Sequence, residues 1–74
     1  MEKTLDLHGV RHEQAHNMVD KFVGKHIIAK TPEVYVLTGN SKKMKEIVIH
    51  TIRDYGVTGH EDWINSGKMV IDLK

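Results

Sequence analysis

Three short stretches of this sequence hold side chains able to do chemistry. The first is His12-Glu13-Gln14-Ala15-His16, which spells H-E-x-x-H. On a helix that spacing sets two imidazoles one turn apart beside a carboxylate, the pattern of zinc metalloproteases. The second is Leu5-Asp6-Leu7-His8-Gly9. An Asp two residues from a His can orient the imidazole or hold a metal, and the His can act as acid, base or phosphate contact. The glycine lets backbone come close to a ligand. The third is Leu37-Thr38-Gly39-Asn40-Ser41, followed by Lys42, Lys43 and Lys45.

Six elements must position these groups. Thr4 to Leu7 alternates polar and apolar, as a half-buried strand does. From about Arg11 to Ala29, Ala15, Met18, Val19, Phe22, Val23 and Ile27 recur at helical spacing and make one buried face. Thr31-Pro32 stops this helix. Glu33 to Leu37 is β-branched and aromatic, a second strand. The loop after it ends in good helix N-caps. Met44, Ile47, Val48, Thr51, Ile52 and Tyr55 trace a second helix, and Gly56 suits its C-terminal cap. Residues 57–64 hold a weaker strand, Asn65-Ser66-Gly67 is a turn, and Lys68 to Leu73 alternates with Met69, Ile71 and Leu73 on one face. The order β-α-β-α-β-β, with right-handed crossovers, places both helices on one face of a mixed four-stranded sheet. The expected fold is therefore an α/β (α+β) two-layer sandwich whose last two strands form a hairpin. Leu5 and Leu7 should face the helices, leaving Thr4, Asp6 and His8 on the open face.

The three stretches fare differently in that frame. At 100° per residue, His12 falls within the apolar arc of the first helix, His16 at its border and Glu13 toward solvent. A zinc protease needs a third protein ligand and a roomy cleft, and a two-layer domain this small offers neither, so HEQAH reads as a chance match at a helix start. The other two stretches each end a strand and open a helix. In parallel α/β units, ligands bind beyond the carboxyl ends of strands, where helix N-termini offer free N–H groups to an anion. Lysines at a helix N-terminus are electrostatically unfavourable, which points to a phosphate there. Residue types alone also allow Asp6 and His8 as plain outward polar residues and the lysines as a solvated face.

LDLHG, an amphipathic helix, VYVLTGNS, a second helix and a terminal hairpin together resemble the Smr (small MutS-related) domain, over residues 4–73. The L-D-x-H-G motif is matched in full by Leu5, Asp6, His8 and Gly9. The family's H/T-G-x-G loop is matched by Thr38 and Gly39 but departs at Ser41, where glycine is usual. The resemblance implies a fold similar to the C-terminal domain of translation initiation factor three. It also implies nicking or cleavage of DNA or RNA, often aided by a divalent metal such as Mg²⁺ or Mn²⁺, or nucleic-acid binding alone. Carried over, Asp6 and His8 look like the catalytic pair, and Gly9, Thr38 and Gly39 like loop residues that meet the nucleic-acid backbone. Arg11, Asn40, Ser41, Lys42 and Lys43 join these as candidate phosphate contacts, and no residue set is assigned to a metal. Ser41 can cap the second helix and offer a hydroxyl to an oxyanion, where a glycine would have offered bare backbone.

Composition sets the limits on partners. Seventy-four residues make one domain, 1–74, burying roughly 60% of its unfolded surface. The absence of cysteine excludes disulfide staples and thiolate zinc fingers. No apolar run approaches the roughly 18 residues of a membrane span, and MEKTLDLHG has no signal-peptide core, so a cytoplasmic protein is expected. A net charge of +1 is not that of a DNA-coating protein, so any nucleic-acid site must come from local clustering. Two readings follow, a small endonuclease and a non-catalytic module gripping structured nucleic acid. A third is a protein-interaction domain using Tyr35 and Trp63. Trp63 could be an exposed stacking platform for a base, but a small domain's need for large buried side chains favours the core. His26, His50 and His60 read as structural or surface residues, and a monomer is expected, since no apolar face is left over.

Overall fold

A 3.6-residue apolar repeat makes the helices, and β-branched runs make the strands. In the computed structural model, which describes residues 2–74, the chain runs β1 (Thr4–Asp6), α1 (His12–Ile28), β2 (Glu33–Leu37), α2 (Lys42–Arg53), β3 (Thr58–Glu61) and β4 (Lys68–Asp72). This is the expected order. The sheet is ordered β1-β2-β4-β3. β1 pairs parallel to β2, while β4 lies antiparallel to both β2 and β3. β3 therefore runs in the same direction as β1 and β2, and all three end at one edge of the sheet.

One face of this mixed sheet is covered. Val34 and Val36 of β2 and Met69 and Ile71 of β4 join Ala15, Val19, Phe22 and Val23 of α1 and Met44, Val48 and Ile52 of α2 in a single core. Leu7 joins them, and Leu5 packs partly buried against the cluster. The chain is thus a two-layer α+β sandwich. Val70 is buried on the opposite, open face, because β4 is an inner strand flanked by Tyr35 of β2 and His60 of β3.

Three local features hold the helices. α1 ends with Lys30 in the left-handed region (φ 60°). The Lys30 N–H then reaches Ile27 O at 3.0 Å, and the Thr31 N–H reaches His26 O at 3.0 Å. This is a Schellman closure with lysine in the place that glycine usually takes. His26 is wholly buried at this end. Its Nε2 donates to the Glu2 carbonyl at 2.8 Å and its Nδ1 lies 2.9 Å from the Thr31 hydroxyl, so it fastens the N-terminal segment to the helix. The Tyr55 hydroxyl, beyond α2, donates to the Asp20 carboxylate at 2.7 Å, and that bond raises the phenol's pKa. No helix of the described residues is long and apolar enough to cross a membrane.

Candidate functional site

Because β1, β2 and β3 end at the same edge, the loops that follow them gather there. These are residues 7–11, 38–41 and 62–67. Backbone bonds fasten them together. The Leu7 N–H donates to Leu37 O at 3.0 Å. The N–H groups of Thr38 and Gly39 both donate to Gly67 O, at 2.8 and 3.0 Å. Thr38 is buried, and its hydroxyl donates to Gly39 O at 3.0 Å. Thr38 and the Gly39 amide thus hold the loops to one another, and neither faces outward to a ligand.

The first loop places Asp6 and His8. The sequence pattern expected His8 on the open sheet face. Instead β1 ends at Asp6, and His8 sits in a turn closed by the Val10 N–H on Leu7 O at 3.1 Å. Asp6 Oδ1 accepts the His8 backbone N–H at 2.9 Å, a local Asx turn. The same oxygen lies 3.6 Å from His8 Nδ1, beyond hydrogen-bond reach. Both side chains are largely exposed, 60% for Asp6 and 80% for His8. Gly9 follows at φ +73°, with open space where a Cβ would be. The turn therefore presents an imidazole to solvent, held by backbone that only glycine adopts cheaply.

The second loop opens α2. Gly39 has φ +65°, again with nothing crowding it. Ser41 takes φ −73° and ψ 112°, backbone open to any residue. Its hydroxyl accepts the Met44 N–H at 3.1 Å and caps the helix. The Ser41 hydroxyl proton and the amides of Lys42 and Lys43, which have no intrahelical acceptor, remain for an anion. Asn40, Lys42 and Lys43 are exposed around them. Lys45 is turned away: its ammonium pairs with Glu61 at 2.7 Å, and its side chain is only 16% exposed. Arg11 is the N-cap of α1 and makes no side-chain cap, so that helix start is also open. Its guanidinium is exposed, 3.6 Å from Glu13.

Other candidates separate from this edge. His12 is exposed and does not lie in the apolar arc as expected, because the buried stripe of α1 begins at Ala15. His16 Nδ1 is 2.8 Å from the Thr51 hydroxyl, which itself donates to Ile47 O at 2.7 Å, so HEQAH serves helix packing. Among the described residues, no three imidazole or carboxylate groups cluster as metal ligands. Asp6 is the carboxylate at this edge that would hold a hydrated divalent cation, which would supply charge stabilisation.

Trp63 corrects an expectation. It is 97% exposed, and Ile64 is 96% exposed. β3 stops at Glu61, so strand alternation never carries Trp63 to the helix face. The tip is instead built from polar turns. Asp62 Oδ2 accepts the N–H groups of Ile64 and Asn65 at 3.2 and 3.1 Å, and Asn65 Oδ1 accepts that of Gly67 at 2.9 Å. D-x-x-N ahead of Ser-Gly is a turn signature that could have shown this in the sequence. Tyr35 lies on the open face, where Lys68 Nζ sits 4.3 Å from its ring. Its hydroxyl donates to Glu33 at 2.6 Å, which raises its pKa.

The edge carries an exposed imidazole, a helix start with free amides, and the exposed Lys42 and Lys43. No curated protein matches the chain. The family model of the Smr domain matches residues 5–74, a span that includes all three loops. The chain belongs to the Smr domain family, and its function is nucleic-acid-related.

Proposed function

We propose that this domain is a small endonuclease that hydrolyses a phosphodiester bond of DNA or RNA at the three-loop edge. The observation behind this is the meeting of the Asp6–His8 turn with the open start of α2, fastened through the Leu7–Leu37 bond. Hydrolysis needs an activated water, stabilisation of charge on the phosphoryl oxygens and a proton for the leaving oxygen. The Ser41 hydroxyl, the first amides of α2 and the ammonium groups of Lys42 and Lys43 bind the scissile phosphate, with Arg11 and Asn40 at its margins. His8 takes the proton of the attacking water as the new P–O bond forms. The old P–O ester bond breaks, and its oxygen receives a proton from the imidazolium or from solvent. Asp6 is a positioning residue that holds the His8 backbone through the turn. A divalent cation bound at Asp6 would add charge stabilisation to the phosphoryl oxygens.

The test incubates the purified domain with supercoiled plasmid and, separately, structured RNA, with Mg²⁺, Mn²⁺ or EDTA. His8→Ala, prepared identically, runs beside it. Cleavage by the wild type that vanishes in the variant is the expected result. Equal traces from both proteins overturn the assignment. A second reading, binding without cleavage, draws on one observation: the Asp6 oxygen nearest His8 Nδ1 is occupied by a backbone N–H and stands 3.6 Å away. It predicts salt-dependent retardation of nucleic acid with no product.

A further inference from the structure

We infer that Trp63, at the tip of the β3–β4 hairpin, is a stacking platform for an unpaired base of the nucleic acid held at the three-loop edge. This rests on the proposed reading and narrows its substrate to strands with at least one unpaired nucleotide near the bound phosphate.

Four observations carry it. First, an indole 97% exposed beside an isoleucine 96% exposed is unusual in a domain with so few large side chains to spend on its core. Second, the tip is ordered by its own bonds: Asp62 and Asn65 accept three backbone N–H groups, so the ring is displayed on a fixed turn. Third, the tip belongs to the candidate site. Gly67 O accepts the amides of Thr38 and Gly39, which joins the hairpin to the loop that opens α2. β3 lies two strands from β2 in the sheet order. At about 4.8 Å per strand, the lateral offset is about 10 Å, which is on the order of three stacked nucleotides at a 3.4 Å rise. Fourth, one of the two acids near the ring is compensated. Lys45, at 2.7 Å, offsets the charge of Glu61, and one carboxylate oxygen of Asp62 is held by the turn, which leaves Asp62 as the one acidic side chain beside the ring with no cationic partner. His60, Glu61, Asp62 and Ser66 line the hollow beside Trp63, with polar groups able to meet the edge of a base stacked on the indole.

Trp63 is the sole tryptophan, so its fluorescence reports on this position alone. The experiment titrates the full chain with a single-stranded oligonucleotide, with a hairpin carrying an unpaired loop, and with a blunt duplex of equal length. Retardation is followed in parallel. The expected result is quenching by the first two and little by the duplex. Trp63→Ala should weaken binding of unpaired strands about 5- to 100-fold, and Trp63→Phe should retain most of it. Both substitutions fall on an exposed side chain, so the fold remains. Retardation of unpaired strands with unchanged fluorescence, and with Trp63→Ala binding as wild type, overturns the inference and leaves the proposed function standing. Equal quenching by the duplex also overturns it. No retardation and no quenching by any nucleic acid overturns the inference, and the absence of His8-dependent cleavage as well overturns the proposed function.

Discussion

Asp6 has two separable jobs, and substitution can pull them apart. Its Oδ1 closes the turn on the His8 N–H at 2.9 Å, and its charge stands 3.6 Å from the imidazole. Asp6→Asn keeps an acceptor oxygen for the turn but removes the charge. Asp6→Ala removes both. The turn bond is exposed, so its loss costs about 1 kcal/mol. For a chain of this size that lowers Tm by about 4–8 °C in Asp6→Ala, while Asp6→Asn stays within about 2 °C of wild type. The charge matters for chemistry. To hydrogen-bond His8, the carboxylate must close from 3.6 Å to about 2.9 Å, a small rotation for a side chain 60% exposed. If it does so with substrate bound, Asp6→Asn loses about a hundredfold or more in single-turnover cleavage, as loss of assisted proton transfer should. The assay pairs thermal melts with cleavage of an end-labelled substrate under single-turnover conditions. Wild-type cleavage by Asp6→Asn, with only Asp6→Ala impaired and less stable, would refute the charge argument and leave Asp6 a turn former.

Three further outcomes are expected. Lys42→Ala with Lys43→Ala should lower the slope of log affinity against log salt by about two, with little change in Tm; an unchanged slope removes both from the phosphate site. Ser41→Ala should cost about 1 kcal/mol by thermal denaturation, because the Met44 N–H loses its cap, whereas Ser41→Gly should cost only a few tenths. Lys30→Gly should stabilise the domain by about 0.5–1 kcal/mol, since φ 60° strains a side chain with a Cβ; a lower Tm would show that the lysine stem contributes packing that outweighs the strain.

The helices were the most legible part of the sequence. Val19, Phe22 and Val23 in α1, and Met44, Val48 and Ile52 in α2, repeat strongly enough to fix both elements and their buried faces. β2 was legible from its β-branched run, and the placing of both helices on one face followed from chain order and crossover handedness, whereas the insertion of β4 between β2 and β3 was not read from the sequence. The short pieces were less so. β1 is three residues long, and a strand that ends one residue early moves His8 from the sheet face into a turn. β3 is Thr-Gly-His-Glu, with no apolar alternation, so its end and the exposure of Trp63 could not be read from period. Pairing across elements was also hidden. Lys45 looked like a third cation at the start of α2 until Glu61, sixteen residues on, was seen to hold it. Thr38 and Gly39 looked like ligand contacts, yet the bonds to Gly67 turn them inward, and only the register of β2 with β4 reveals that. His26 carried no signal that it would lie in the core, because its partners are a backbone carbonyl and a threonine on separate segments.

The central claim is that nucleic acid meets this domain at the edge formed by residues 7–11, 38–41 and 62–67, together with the first turn of α2. The most direct measurement is a two-dimensional amide NMR titration of the ¹⁵N-labelled domain with a short RNA or DNA hairpin at moderate salt. The account predicts that the largest shifts fall on His8, Gly9, Asn40, Ser41, Lys42 and Lys43, with the tip residues around Trp63 following. Shifts concentrated instead on the outer faces of the helices, or on the open sheet face around Tyr35 and Val70, would contradict it.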